Sequence, residues 1–142
     1  MLRIVNENIF SAEINKTLKD RAVRHDASKY SLEEYVPYVW MTWFYKLRNE
    51  GIKFIYPKGI SEKIDVAVKH HYKFNSHHPE FYDNNTDNMS PEDIIEMICD
   101  HAAMSQEFNN SLSRWTKTKT FTKYNWNNKN KKLILQLVEL LG

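Results

Sequence analysis

Four short segments of this chain carry side chains suited to holding a metal ion: His25-Asp26, His70-His71, His77-His78 and Asp100-His101. Neutral imidazoles and ionised carboxylates both ligate divalent cations, and an ionised Asp beside an apolar face is costly unless paired or metal-bound. Mixed His and Asp donors suit divalent transition ions (Fe, Mn, Co, Ni or Zn). The candidate ligands are His25, Asp26, His71, His77, His78 and Asp100. His70 reads as a surface histidine at the edge of its helix stripe and His101 as a packed one, either able to support the ligands from behind, with Glu33 and Glu34 able either to cap a helix or to orient a ligand.

Helices must deliver these groups. Ile14, Leu18, Ala22 and His25 form one stripe of a first helix over residues 6–24, so His25 falls on its buried side. Ser31 and Glu34 have capping-box spacing. Pro37 is then either the first residue of a second helix or a kink in one that begins at Ser31, and Gly51 ends that helix. Its aromatic residues Tyr38, Trp40, Trp43, Phe44 and Tyr45 are expected in the core. Residues 53–56 read as a connector or brief strand. Ser61 caps a third helix running to Phe74, whose stripe Ile64, Ala67, Val68, His71 and Phe74 has His71 near its middle and His70 at its edge. Pro79 biases His78 away from helical geometry, and residues 83–90 form a polar loop. Ser90-Pro91-Glu92-Asp93 is a strong start signal for a fourth helix to Phe108. On it Asp100 lies at the edge of the apolar face, with His101 inside that face. A closing helix over 132–141 is expected to pack back on the core.

Composition agrees with an all-α fold. An apolar share of 42% in 142 residues supports one core, while only three Gly and four Pro argue against a turn-rich β fold and a glycine-rich phosphate loop. The single Cys99 rules out an intrachain disulfide framework and a cysteine zinc site, and reads as an inert buried thiol. No apolar run nears the ~20 residues of a membrane span, and the first ten residues carry no signal-peptide pattern, so a cytoplasmic setting is expected.

His25-Asp26-Ala27-Ser28-Lys29 resembles the H-D-x-x-K motif of the HD-domain superfamily of metal-dependent phosphohydrolases. His70-His71, His77-His78-Pro79-Glu80 and Asp100 resemble, in order, later stations of its HD-GYP branch. The chain is still more similar to a small HD-like family of phages and bacteria. The shared stretches are H-D-x-S-K-x-S-x-E-E (His25 to Glu34), N-x-H-H-P-E (Asn75 to Glu80) and M-x-C-D (Met97 to Asp100). The resemblance spans residues 5–108. It implies a single HD-like helical domain with a site for one or two metal ions between helices, in a bacterial or phage-infected cell. It also implies hydrolysis of a phosphoester or phosphoanhydride, with a nucleotide as substrate, by metal-activated water. Asp26 and Lys29 are then catalytic, with Lys29 on the substrate phosphate. HD enzymes usually carry another His or Glu upstream, for which this chain offers Asn6, Glu7, Asn8 and Glu13. The Gly-Tyr-Pro stretch of the HD-GYP branch is missing, so cyclic-dinucleotide hydrolysis is not carried over.

The remaining third differs in character. Residues 114–132 hold seven of the 20 basic residues and no acid, so the other 13 basic residues face 18 acids, a balance of −5. On this basis 1–108 is an HD-like core and 109–142 a basic aromatic segment followed by the closing helix. Lys117, Lys119, Lys123 and Trp126 could follow a nucleic-acid backbone and stack on bases. Other readings of the segment are a solvated loop anchored by its aromatics and a lid over a phosphate. Two functions follow: a metal-dependent phosphohydrolase, or a non-catalytic HD-like module that keeps a metal for structure or binds nucleic acid through 114–132.

Overall fold

A computed structural model describes residues 1, 4, 5 and 9–142 of the chain. The fold is all-α, and among the described residues there is no strand. Seven helical segments are labelled here: α1 (Ala12–Arg24), α2 (Tyr35–Asn49), α3 (Ile60–Phe74), α4 (Pro91–Glu107), α5 (Leu112–Trp115), α6 (Phe121–Lys123) and α7 (Asn128–Leu141). They fall into two compact units, one made of Met1–His25 with Ser76–Gly142, the other of Asp26–Asn75. Among the described residues no helix is long and apolar enough to cross a membrane.

In the first unit α4 is the central element. Asp93 to Ile98 are six consecutive buried residues, so this helix is covered almost all round. Ile94, Ile95, Met97 and Ile98 pack with Leu18 of α1, Leu112 of α5, and Ile134 and Leu137 of α7. Each such fully buried side chain contributes about 1.5–3 kcal/mol. The start of α4 is fixed locally. Ser90 Oγ accepts from Asp93 N, the Asp93 side chain accepts from Ser90 N, and Pro91 occupies the first turn. The closing helix begins at Asn128, earlier than its apolar run, because Asn127 caps it by accepting from Asn130 N. Between α4 and α7 the basic segment is mostly helical, with a π-helical turn at Thr116–Thr120.

α1 begins at Ala12, capped by Ser11, instead of at residue 6. The upstream candidates Asn6, Glu7 and Asn8 lie outside the described residues, and Glu13 is exposed.

In the second unit α2 and α3 pack on each other and on a 3-10 turn at Ala27–Tyr30. Three expectations are corrected there. The Ser31–Glu34 capping box does not form, because the Glu34 side chain points instead to Ser28, His70 and His71. Pro37 does not start α2, nor does the helix begin at Ser31; it begins at Tyr35, and Pro37 is tolerated in its first turn because first-turn N–H groups have no intrahelical partner. Ile60 precedes Ser61 in α3, whose N-cap is Gly59 at φ 82. Residues 53–56 are a connector without strand. None of the six aromatics of α2 is fully buried, and Trp43 is 46% exposed.

Candidate metal-ligand groups

In the first unit, α1 and α4 present complementary polar stripes. Arg21 and His25 are four residues apart at the end of α1; Asp93, Glu96 and Asp100 recur at helical spacing on α4. Arg21 Nη2 donates to Asp93 Oδ1 and Arg21 Nε to Glu96 Oε2, each at 2.6 Å. His25 Nδ1 lies 2.7 Å from Glu96 Oε1, and His77 Nδ1 lies 3.4 Å from the same oxygen. On the other side of the His25 ring, Nε2 is 3.7 Å from Asp100 Oδ1. His25, His77 and Glu96 bring one ligand atom each to within 4.8 Å of one another, a group able to hold a metal ion.

Electrostatics keep Glu96 and Asp93 ionised. Burial by itself would raise the Glu96 carboxyl, but the His25 hydrogen bond, His77 and Arg21 outweigh it and hold it below the ordinary range. Asp93 is likewise held low against its burial by Ser76, Tyr82, the Ser90 N–H and Arg21. The Tyr82 hydroxyl, which donates to Asp93 Oδ2 at 2.8 Å, is pushed up to about 12 by burial and that carboxylate. An ionised carboxylate only accepts, so the 2.7 Å contact places a proton on His25 Nδ1, and in the neutral imidazole the lone pair is then on Nε2.

The second unit repeats this pairing. Glu34 is fully buried and accepts from His70 Nδ1 at 2.7 Å, His71 Nδ1 at 2.9 Å and Ser28 Oγ at 3.0 Å. The Asn75 side-chain amide donates to Ser28 Oγ at 2.7 Å and to the His71 carbonyl at 2.8 Å, locking the end of α3 against the turn. His71 Nε2 lies 3.3 Å from Asp26 Oδ1. Asp26 adopts a left-handed conformation (φ 55, ψ 21), which Asp tolerates better than most residues. The turn that follows returns Lys29 to it: Lys29 N donates to Asp26 O at 2.9 Å and Lys29 Nζ to Asp26 Oδ2 at 2.5 Å.

The other candidates are placed as follows. His78 is half-buried at the start of a 3-10 turn, its ring 4.1 Å from that of His77. His101 is half-buried against Trp115 and lies 3.1 Å from Thr120 Oγ1; burial pushes its imidazole down to about 4, so it is neutral near pH 7. Glu33 is exposed and does not share the Glu34 network. Lys117 and Lys119 are exposed, whereas Lys123 pairs with Glu80 at 2.7 Å. Trp126 packs against the core and donates its indole N–H to Thr120 O at 3.0 Å. Burial pushes the Cys99 thiol up, in line with an unreactive thiol. Sequence reasoning missed Glu96 and Arg21. The signal was the acidic spacing 93, 96, 100 inside an apolar helix, facing a basic pair at 21 and 25.

An all-α protein with a buried carboxylate–histidine group in each of two units is the class that fold and site define. The chain belongs to a family described as a family of unknown function (DUF5662), which matches residues 3–141. No curated protein and no solved structure matches it.

Proposed function

We propose that this protein is an HD-type, metal-dependent phosphohydrolase acting on a nucleotide. The observation that carries the reading is the pairing of buried Glu96 with His25 Nδ1 and of buried Glu34 with His71 Nδ1. In each pair an aspartate stands 3.3–3.7 Å from the opposite ring nitrogen. Metal-binding histidines are oriented in this way, and the N and O donors fit a transition ion. In the first unit His25 would hold the ion through Nε2 together with Asp100, 3.7 Å from that nitrogen, and His77, whose ring centre stands 4.8 Å from that of His25, would be a further ligand; in the second, Asp26 and His71 would be the ligands. A bound ion would supply an activated water and neutralise phosphoryl charge.

The chain's own residues do the rest. Glu96 and Glu34 keep protons on Nδ1, so that Nε2 is the coordinating atom. Arg21 fixes Glu96 by its 2.6 Å bond and is itself fixed by Asp93. Lys29 orients Asp26 and, at 38% side-chain exposure, can also meet a phosphate oxygen. Hydrolysis adds water across a P–O bond, releasing phosphate and an alcohol from a phosphoester, or phosphate and a shorter nucleotide from a phosphoanhydride.

The test is phosphate release from a panel of nucleoside mono-, di- and triphosphates by the protein as purified. Activity should be abolished by chelation, restored by Mn or Co, and lost in Asp26→Ala and His25→Ala. Bound metal without phosphate release from any of them would overturn the enzymatic reading in favour of a non-catalytic module.

A further inference from the structure

We propose that the aromatic cleft along α2 is the base-binding site of a nucleotide whose phosphate lies toward Lys29, an inference that rests on the phosphohydrolase reading and names how its substrate is recognised. The cleft encloses about 560 Å³, within the range of small-molecule sites, and lies wholly in the second unit. Tyr35, Tyr38, Trp43 and Lys46 line it from one face of α2, with Trp40 beside them and Lys29 from the preceding turn. Tyr35 is 54% exposed and Trp43 46%, so these rings offer flat apolar surface that the core of the unit does not use.

Its charge selects the occupant. The two charged residues lining the cleft are both lysines. Lys46 Nζ stands 5.2 Å from the Trp43 ring centre and Lys29 Nζ 5.0 Å from that of Tyr38. A planar base with an anionic phosphate matches rings flanked by cations. A second copy of the same face does not, because a symmetric contact would set lysines against lysines. Lys29 also bonds Asp26 Oδ2, so the end of the cleft that would receive phosphate adjoins a proposed metal ligand.

The test is calorimetric titration of the full chain with three probes that resist hydrolysis: adenosine, the phosphonate analogue of adenosine 5′-monophosphate, and the corresponding ribose phosphonate. The nucleotide phosphonate should bind tightest, and the ribose phosphonate at least about 5-fold more weakly, because base–aromatic stacking is worth roughly 5- to 150-fold in Kd. Trp43→Ala should weaken the nucleotide phosphonate by a factor in that range, and Trp43→Phe should restore most of the loss. Equal binding of the two phosphonates, or no effect of Trp43→Ala, would overturn the proposal. So would a dimer in sedimentation that Trp43→Ala dissociates, since a second copy would then fill the cleft. Adenosine binding lost in Trp43→Ala, in a protein that releases no phosphate, would uphold the cleft and refute the phosphohydrolase reading. Hydrolysis with no base preference would do the reverse.

Discussion

Replacing Glu96 by glutamine separates the two roles of that carboxylate. In the native chain Oε2 accepts from Arg21 Nε at 2.6 Å while Oε1 faces His25 Nδ1 at 2.7 Å. A glutamine amide has one acceptor oxygen and one donor group. Arg21 can only donate, whereas a neutral imidazole nitrogen can do either. The amide oxygen therefore turns to Arg21, the amide nitrogen donates to His25 Nδ1, and the imidazole proton moves to Nε2. Both contacts survive, but the Arg21 bond loses the carboxylate charge, at a cost of about 1–2 kcal/mol. Arg21 keeps Asp93 at 2.6 Å. For a chain of this size the melting temperature should fall by about 3–8 °C. Glu96→Ala leaves buried donors without an acceptor and should cost about 3–5 kcal/mol. The informative readout is the His25 ring in long-range ¹H–¹⁵N spectra of metal-stripped protein, above the pH range where imidazole is charged. The native protein should carry its proton on Nδ1 and Glu96→Gln on Nε2, with metal affinity about 10- to 100-fold lower in the variant. A His25 that keeps its Nδ1 proton in Glu96→Gln would refute the reasoning.

Three further predictions follow from the same geometry. Glu34→Ala removes the acceptor shared by Ser28, His70 and His71, and should destabilise the second unit by about 3–5 kcal/mol, seen as lost amide protection in α2 and α3 by hydrogen exchange. Asp93 is held below the ordinary carboxyl range in the folded state, so its stabilising effect is complete above about pH 4 and is lost as pH falls through its lower folded value. Urea midpoints between pH 2 and 5 should therefore fall more shallowly with acid in Asp93→Asn than in the native chain; identical slopes would contradict this. Chelation should lower the melting temperature of the native protein, and lower that of His25→Ala less.

The fold was largely legible because its strongest signals are local. The Ser90–Asp93 cap, the Ile64–Ala67–His71 stripe and the placing of His25 at a helix end depend on neighbours within one or two turns. The misreadings had tertiary causes. Ser31 and Glu34 have the spacing of a cap, but two histidines of α3 draw the Glu34 carboxylate into the interior. Glu96 sits in an apolar run, and only the arrival of Arg21 and His25 from α1 makes its burial tolerable. The aromatic residues of α2 suggest a core by type, yet their helix packs chiefly on α3 and leaves Trp43 exposed.

The central claim is that the imidazoles oriented by buried glutamates hold a metal. Elemental analysis of the purified chain, with anomalous diffraction to place any ion, tests it most directly. The account predicts at least one equivalent of a transition metal, with a peak about 2.0–2.2 Å from a ring nitrogen of His25 and of His77, and loss of that metal in His25→Ala. Metal-free protein whose stability is unchanged by added Mn, Fe, Co, Ni or Zn would contradict it.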